Sequence, residues 1–158
     1  MSFDAVVIDE RTLSRGSDAQ HIEWNANIRE LLAKVKYAVE HDATLHISVT
    51  EQHFVVEAMA PGGEVLHSKT IPHETLSEHI TEYVDILRQI ASAEGVNQME
   101  ALDMAKKVTH DRAGRVLRRE LRDFGFDHES MRKLFTLLLS LRVDTTRLIG
   151  IHRHRPIR

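Results

Sequence analysis

The spacing of apolar residues changes along this chain, and each change marks an element. Ala5-Val6-Val7-Ile8 is a short β-branched run ended by Asp9-Glu10-Arg11, which predicts a strand. Ser14, Gly16, Ser17 and Asp18 make a turn-prone patch in which Ser17 or Asp18 is a natural helix cap. From His21 to Glu40, Trp24, Ile28, Leu31, Leu32, Val35 and Val39 recur at helical spacing, with Trp24 the expected anchor to the core. Between Thr44 and Ile71 the period drops to two, and an antiparallel meander of three strands is expected.

The meander carries its own register. A two-residue loop at Glu51-Gln52 pairs Val49 with Phe54, Ile47 with Val56 and Leu45 with Ala58, placing all six on one face. At the second turn a three-residue loop, Pro61-Gly62-Gly63, sets Leu66 opposite Ala58 and Ser68 opposite Val56. On the other face that register aligns His46, Glu57 and His67 across three strands. Two imidazoles and a carboxylate form a ligand set that zinc or iron accepts, although the outer strands stand about 9–10 Å apart and both rings must lean inward, so the preferred reading is an exposed cross-strand row with mild charge pairing. His53, His73 and His79 show no metal spacing and read as surface residues.

Beyond Pro72 the period returns to 3.6. Leu76, Ile80, Tyr83, Val84, Leu87 and Ile90 form one helical side that Gly95 ends. A long helix-favouring stretch runs from Asn97 to Phe124, with Asn97 as its expected cap. Leu102, Ala105, Thr109, Ala113, Val116, Glu120 and Phe124 make its core stripe, and Glu100, Asp103, Lys107, His110 and Gly114 stack in a second sector read as the opposite, solvated side. Gly114 allows either a break or a close backbone approach. Asp127 or His128 opens a last helix that is apolar nearly all round from 134 to 141, as suits a central core helix or a dimer interface. The expected fold class is α+β: an antiparallel meander plus an N-terminal strand, packed with four helices.

With 158 residues, 42% of them hydrophobic, the chain fits one domain over 1–141 with a basic tail or subunit arm over 142–158. The absence of cysteine removes disulfides, thiolate metal sites and thiol nucleophiles. No signal peptide or membrane-spanning run is evident, so a cytoplasmic protein without membrane contact is expected. A net charge of −3 conceals a polarity: residues 1–105 hold 7 Lys+Arg against 18 Asp+Glu, residues 106–158 hold 14 against 6. The simplest account is complementarity within the chain or between subunits; an anionic ligand or nucleic acid meeting the basic half is the alternative.

Leu45-His46-Ile47-Ser48, then Glu100-Ala101-Leu102-Asp103-Met104 with two lysines and His110, then Arg132-Lys133-Leu134-Phe135-Thr136-Leu137 resemble successive signatures of uncharacterised protein family 0262, a set of bacterial proteins. Ile8-Asp9-Glu10 and His21-Ile22-Glu23 are similar to that family too, and the likeness spans most of residues 5–141. It implies a shape and a set of positions without a reaction or a cofactor. Asp111-Arg112-Ala113-Gly114 departs from the family's pattern, and the chain runs on past its usual end.

Neither a phosphate-binding glycine loop, nor a nucleophile elbow, nor a His-Glu-x-x-His helix is present. The leading expectation is therefore a non-enzymatic binding or regulatory homodimer. A small enzyme or ligand site is the alternative, with Glu100 or Asp103 accepting a proton, Lys107 holding an anion and His110 acting as acid or base. A part-buried His110 beside a pocket would support that site. Nucleic-acid binding through Lys106, Lys107, Arg112, Arg115, Arg118, Arg119 and Arg122 ranks last, because these lie around one helix without a recognition motif.

Overall fold

The computed structural model describes residues 3–9, 16–34 and 43–146. Four strands, β1 (Phe3–Ile8), β2 (Ala43–Val49), β3 (His53–Met59) and β4 (Val65–Pro72), form one sheet in the order β1-β2-β3-β4. β2, β3 and β4 are the antiparallel meander, while β1 lies parallel to β2 and is joined to it through α1 (Asp18–Lys34). The other helices are α2 (His73–Ala91), α3 (Val96–Glu120) and α4 (His128–Arg142), with a short 3-10 turn at Arg122–Phe124 between the last two. The fold is α+β, as the residue pattern implies.

Local chemistry sets the boundaries. Ser17 and Gln20 form a reciprocal capping box, the Gln20 amide donating to Ser17 Oγ at 3.1 Å and the Ser17 amide to Gln20 Oε1 at 2.9 Å. Asp127 caps α4 by accepting from the Ser130 amide at 2.8 Å. Asn97 does not cap α3. The cap position falls two residues earlier, at Gly95, whose φ of 83° is a conformation open to glycine. α1 covers the expected helix from His21 to Lys34; residues 35–40 lie outside the described residues.

The first hairpin has the expected register, with Val49 opposite Phe54, Ile47 opposite Val56 and Leu45 opposite Ala58. In the second, the three-residue loop forms, since Ala60 N–H donates to the Glu64 carbonyl and Met59 pairs with Val65. A β-bulge then intervenes, and Ala58 pairs with His67 where Leu66 was expected. The reason lies in the apolar positions of β4. Leu66 and Ile71 are an odd number of residues apart, so a regular strand would send them to opposite faces. The extra residue changes parity: Ile71 is fully buried opposite Phe54, and Leu66 still packs against the core.

The core lies between one sheet face and a helix layer in the order α2-α3-α4-α1. Val6, Leu45, Ile47, Phe54, Val56 and Ile71 supply the sheet side. α4 is the central helix: Leu134, Phe135, Leu137, Leu138 and Leu139 are all at most 2% exposed within a single chain, so its all-round apolar character is used up in the core. Packing continues past residue 141, where Val143 lies against the core and Thr145 is buried, its hydroxyl donating to Glu23 Oε1. Among the described residues no helix is long and apolar enough to cross a membrane.

Candidate functional site

α3 packs against both α2 and α4, which widens its buried arc and corrects the sequence expectation for its polar sector. Thr109 and Ala113 face inward on the α2 side, and His110 and Gly114 are covered on the α4 side. The sector holding Glu100, Asp103, Lys107, His110 and Gly114 is thus a flank that sinks into the helix layer toward its C-terminal end. Glu100, Asp103 and Lys107 are exposed, His110 is half-buried and Gly114 is buried. No break occurs at Gly114. A Cβ there would stand 3.1 Å from His128 Cε1 and 3.2 Å from Arg132 Cγ, so the glycine lets α4 side chains lie directly on α3.

His110 is set among aromatic rings, with centroids 4.9 Å from Tyr83 and 5.8 Å from Phe135. Its Nε2 lies 2.9 Å from Thr136 Oγ1, and that hydroxyl donates its proton to the Arg132 carbonyl at 3.2 Å. The arrangement makes His110 Nε2–H the donor and Thr136 the acceptor. Burial, reinforced by Arg132, Lys106 and Lys133 and opposed by Asp111, pushes the imidazole pKa down to about 4. His110 is therefore neutral at ordinary pH, a structural donor and not a poised acid.

Thr136 opens on its other side into a cleft of about 570 Å³. The four helices wall it: Glu23 and Asn27 from α1, Tyr83, Leu87 and Ile90 from α2, Met99, Asp103 and Lys106 from α3, Leu139 from α4, with Thr145 beyond. The α1–α4 side is braced by two bonds to Ser140, whose carbonyl accepts from Trp24 Nε1 at 2.9 Å and whose Oγ accepts from Asn27 Nδ2 at 3.1 Å. Burial and the neighbouring Glu23 carboxylate push the Tyr83 phenol up to about 12, so it stays a neutral hydrogen-bonding group. The cleft offers an apolar floor with separate anionic and cationic positions.

Of the four residues expected as a ligand site, Glu100, Asp103, Lys107 and His110, only Asp103 lines this cleft. His110 stands one residue behind it through Thr136, and Glu100 and Lys107 belong to the exposed surface. Glu23, Asn27 and Tyr83 were missed as ligand positions, and Lys106, read as a nucleic-acid contact, lies in the cleft. Thr136 and Ser140 were the legible clue: two hydroxyls four residues apart in the otherwise apolar stretch 134–141 draw a polar line down one side of it.

The sheet row does not assemble as expected. His46 does lie opposite Glu57, but the bulge puts Ser68 in the third place, its hydroxyl donating to Glu57 Oε2 at 3.2 Å. His67 turns to the helix-covered face, with its ring 5.3 Å from Phe124. Among the described residues no group of three His, Cys, Asp or Glu side chains converges as a metal site. His73 is likewise not a surface residue. It is buried, its Nε2 is 2.7 Å from the Thr50 carbonyl, and burial is the first cause lowering its pKa, followed by the opposing Thr50 bond and the Arg142 and His53 charges.

Residues 2–144 match the model of the Uncharacterised protein family (UPF0262). The chain belongs to that family. A UPF0262 protein of Hyphomonas neptunium is 28% identical over 155 residues, covering 92% of this chain and 95% of the relative. One from Rhodopseudomonas palustris strain BisB5 is 27% identical over 143 residues, 85% and 87% of the two chains, and one from Bradyrhizobium diazoefficiens is 28% identical over 147 residues, 87% and 88%. No solved structure matches the chain significantly. The span shared with UPF0262 takes in every strand and helix described above, and all the cleft residues except Thr145.

Proposed function

We propose that this UPF0262 protein is a binding protein whose helix-layer cleft holds a small molecule with an apolar body and polar, charged ends. One observation carries the reading: about 570 Å³ of space in which Leu87, Ile90, Met99 and Leu139 meet Glu23, Asp103 and Lys106. That volume falls in the range of small-molecule sites, roughly 300–1,000 Å³, and the mixture of an apolar lining with a few directed polar groups is what such sites use. Carboxylates at Glu23 and Asp103 suit an ammonium or hydroxyl end, and Lys106 suits a carboxylate or phosphate. Binding is preferred to catalysis because His110, the imidazole behind Thr136, is neutral, half-buried and engaged with that hydroxyl.

A fragment screen by ligand-observed NMR tests this. Amphipathic zwitterionic and anionic fragments should bind the wild type and be lost in Met99→Trp, which fills the cleft from a half-buried position, while the thermal denaturation midpoint without fragments stays within a few degrees. Fragments that bind both proteins alike, or no fragments at all, would sink the reading.

A further inference from the structure

The outward side of α3 carries residues that the core and the cleft leave unused. Met104, Val108, Arg115 and Arg119 follow one another by steps of four, seven and four, so they share one crest with Asp111, which pairs with Arg132; Arg118 lies on its shoulder and Arg122 in the 3-10 turn beyond the helix. Met104 is 62% and Val108 43% exposed, although both are large and apolar. Among the described residues no carboxylate lies within ion-pairing distance of Arg115, Arg118, Arg119 or Arg122. Lys69, Arg112, Arg132 and Lys133, by contrast, are taken by Glu120, Glu82, Asp111 and Glu30. An acidic crest lies beside this one on α2, where Glu74, Glu78 and Asp85 are exposed; Glu78 and Asp85 also line a shallow groove with Ser77, Thr81, Glu82 and Arg88.

The two crests stand at the same height. Thr109 Oγ1 and Arg112 Nη2 both donate to Glu82, at 2.8 and 3.2 Å, so the antiparallel α2 and α3 place Glu74 and Glu78 level with the turns from Arg115 to Arg122. A two-fold axis running along these helices and between them carries α2 of one copy over α3 of another. The pair remains antiparallel, with acid facing base in both halves of the contact. We propose that this face is the dimer interface of the protein, the arginine crest of each subunit set against the acidic crest of the other. Arginine and methionine are residue types that interfaces favour, and reciprocal charges fix the register. A nucleic acid is the poorer occupant, because the acidic crest alongside would repel its phosphates.

Charge swapping in the full-length protein provides the test. Light scattering should give wild type a mass of twice 18.1 kDa in low salt. Arg118→Glu with Arg119→Glu should make a monomer, as should Glu74→Arg with Glu78→Arg. Each change lies on an exposed helix surface, and circular dichroism should confirm that both variants are folded. Mixed in equal amounts, the two variants should associate again, because every reversed crest then meets its reversed partner; the mixture should bind at least about tenfold more tightly than either variant alone. A wild-type monomer, a dimer indifferent to both reversals, or variants that fail to restore each other would overturn the proposal. Salt-sensitive binding of labelled RNA or DNA by a wild-type monomer, lost in the arginine variant, would overturn it in favour of a nucleic-acid surface.

Discussion

His110 shows how a residue that looks catalytic in a sequence becomes structural in a fold. Its ring lies against Tyr83 and Phe135, its donor is satisfied by Thr136, and the charges that reach it, Arg132, Lys106 and Lys133, disfavour the imidazolium, with Asp111 the exception. A folded-state pKa of about 4 against 6.5 means that between these values the unfolded chain takes up a proton that the native one refuses. Stability therefore falls as the pH drops from about 6.5 toward 4, by on the order of 2 kcal/mol from this residue. Urea unfolding of wild type and His110→Gln at pH 7 and pH 4.5 should reveal it: the variant keeps a hydrogen-bond donor for Thr136 and should lose less stability on acidification. Equal losses in the two proteins would show that the ring titrates normally. Histidine spacing carries no record of such burial, because the aromatic cage comes from α2 and α4, far away in sequence.

At the scale of elements, most of the chain was legible. The 3.6-residue spacing of α2 and α4, the alternation in β2 and β3, and the caps Ser17 and Asp127 are local properties, and local chemistry decides them. What could not be read was set by packing. The width of the buried arc on α3 depends on having neighbours on both sides, and the cleft depends on where four helices diverge. The bulge in β4 lies between these cases: the odd spacing of Leu66 and Ile71 announces it, but only once both are known to reach the core. A pair of deletions separates register from packing here. Removing Leu66 takes away only the extra residue, so His67 through Ile71 should keep their partners at a cost of about 1–2 kcal/mol for the lost half-buried side chain. Removing Ser68 instead leaves Leu66 and Ile71 an even number of residues apart, so a regular strand without the bulge should hold both on the core face, and unfolding followed by circular dichroism with urea should stay cooperative. A Ser68 deletion that loses cooperative unfolding would refute the register argument.

On the scale of the whole molecule, the polarity between the acidic and basic halves resolves into definite contacts. Arg112–Glu82 and Lys133–Glu30 join the halves within the chain. These pairs leave the crests of α2 and α3 as separate fields of opposite sign, which gives the helix side of the protein a direction that its net charge hides. The parallel pairing of β1 with β2 imposes an order of another kind. Val6 meets Leu45 nearly forty positions away and only after α1 has crossed between them, whereas β2 to β4 and α2 to α3 join neighbours in the chain. Assembly should begin in the meander and the α2–α3 pair and close with β1 as its last and loosest strand. Native-state hydrogen exchange should then release the amides of Val7 and Asp9, which face β2, at a lower free energy than those of Ile47 and Val56, so that the N-terminal strand acts as the latch of the sheet and not its foundation.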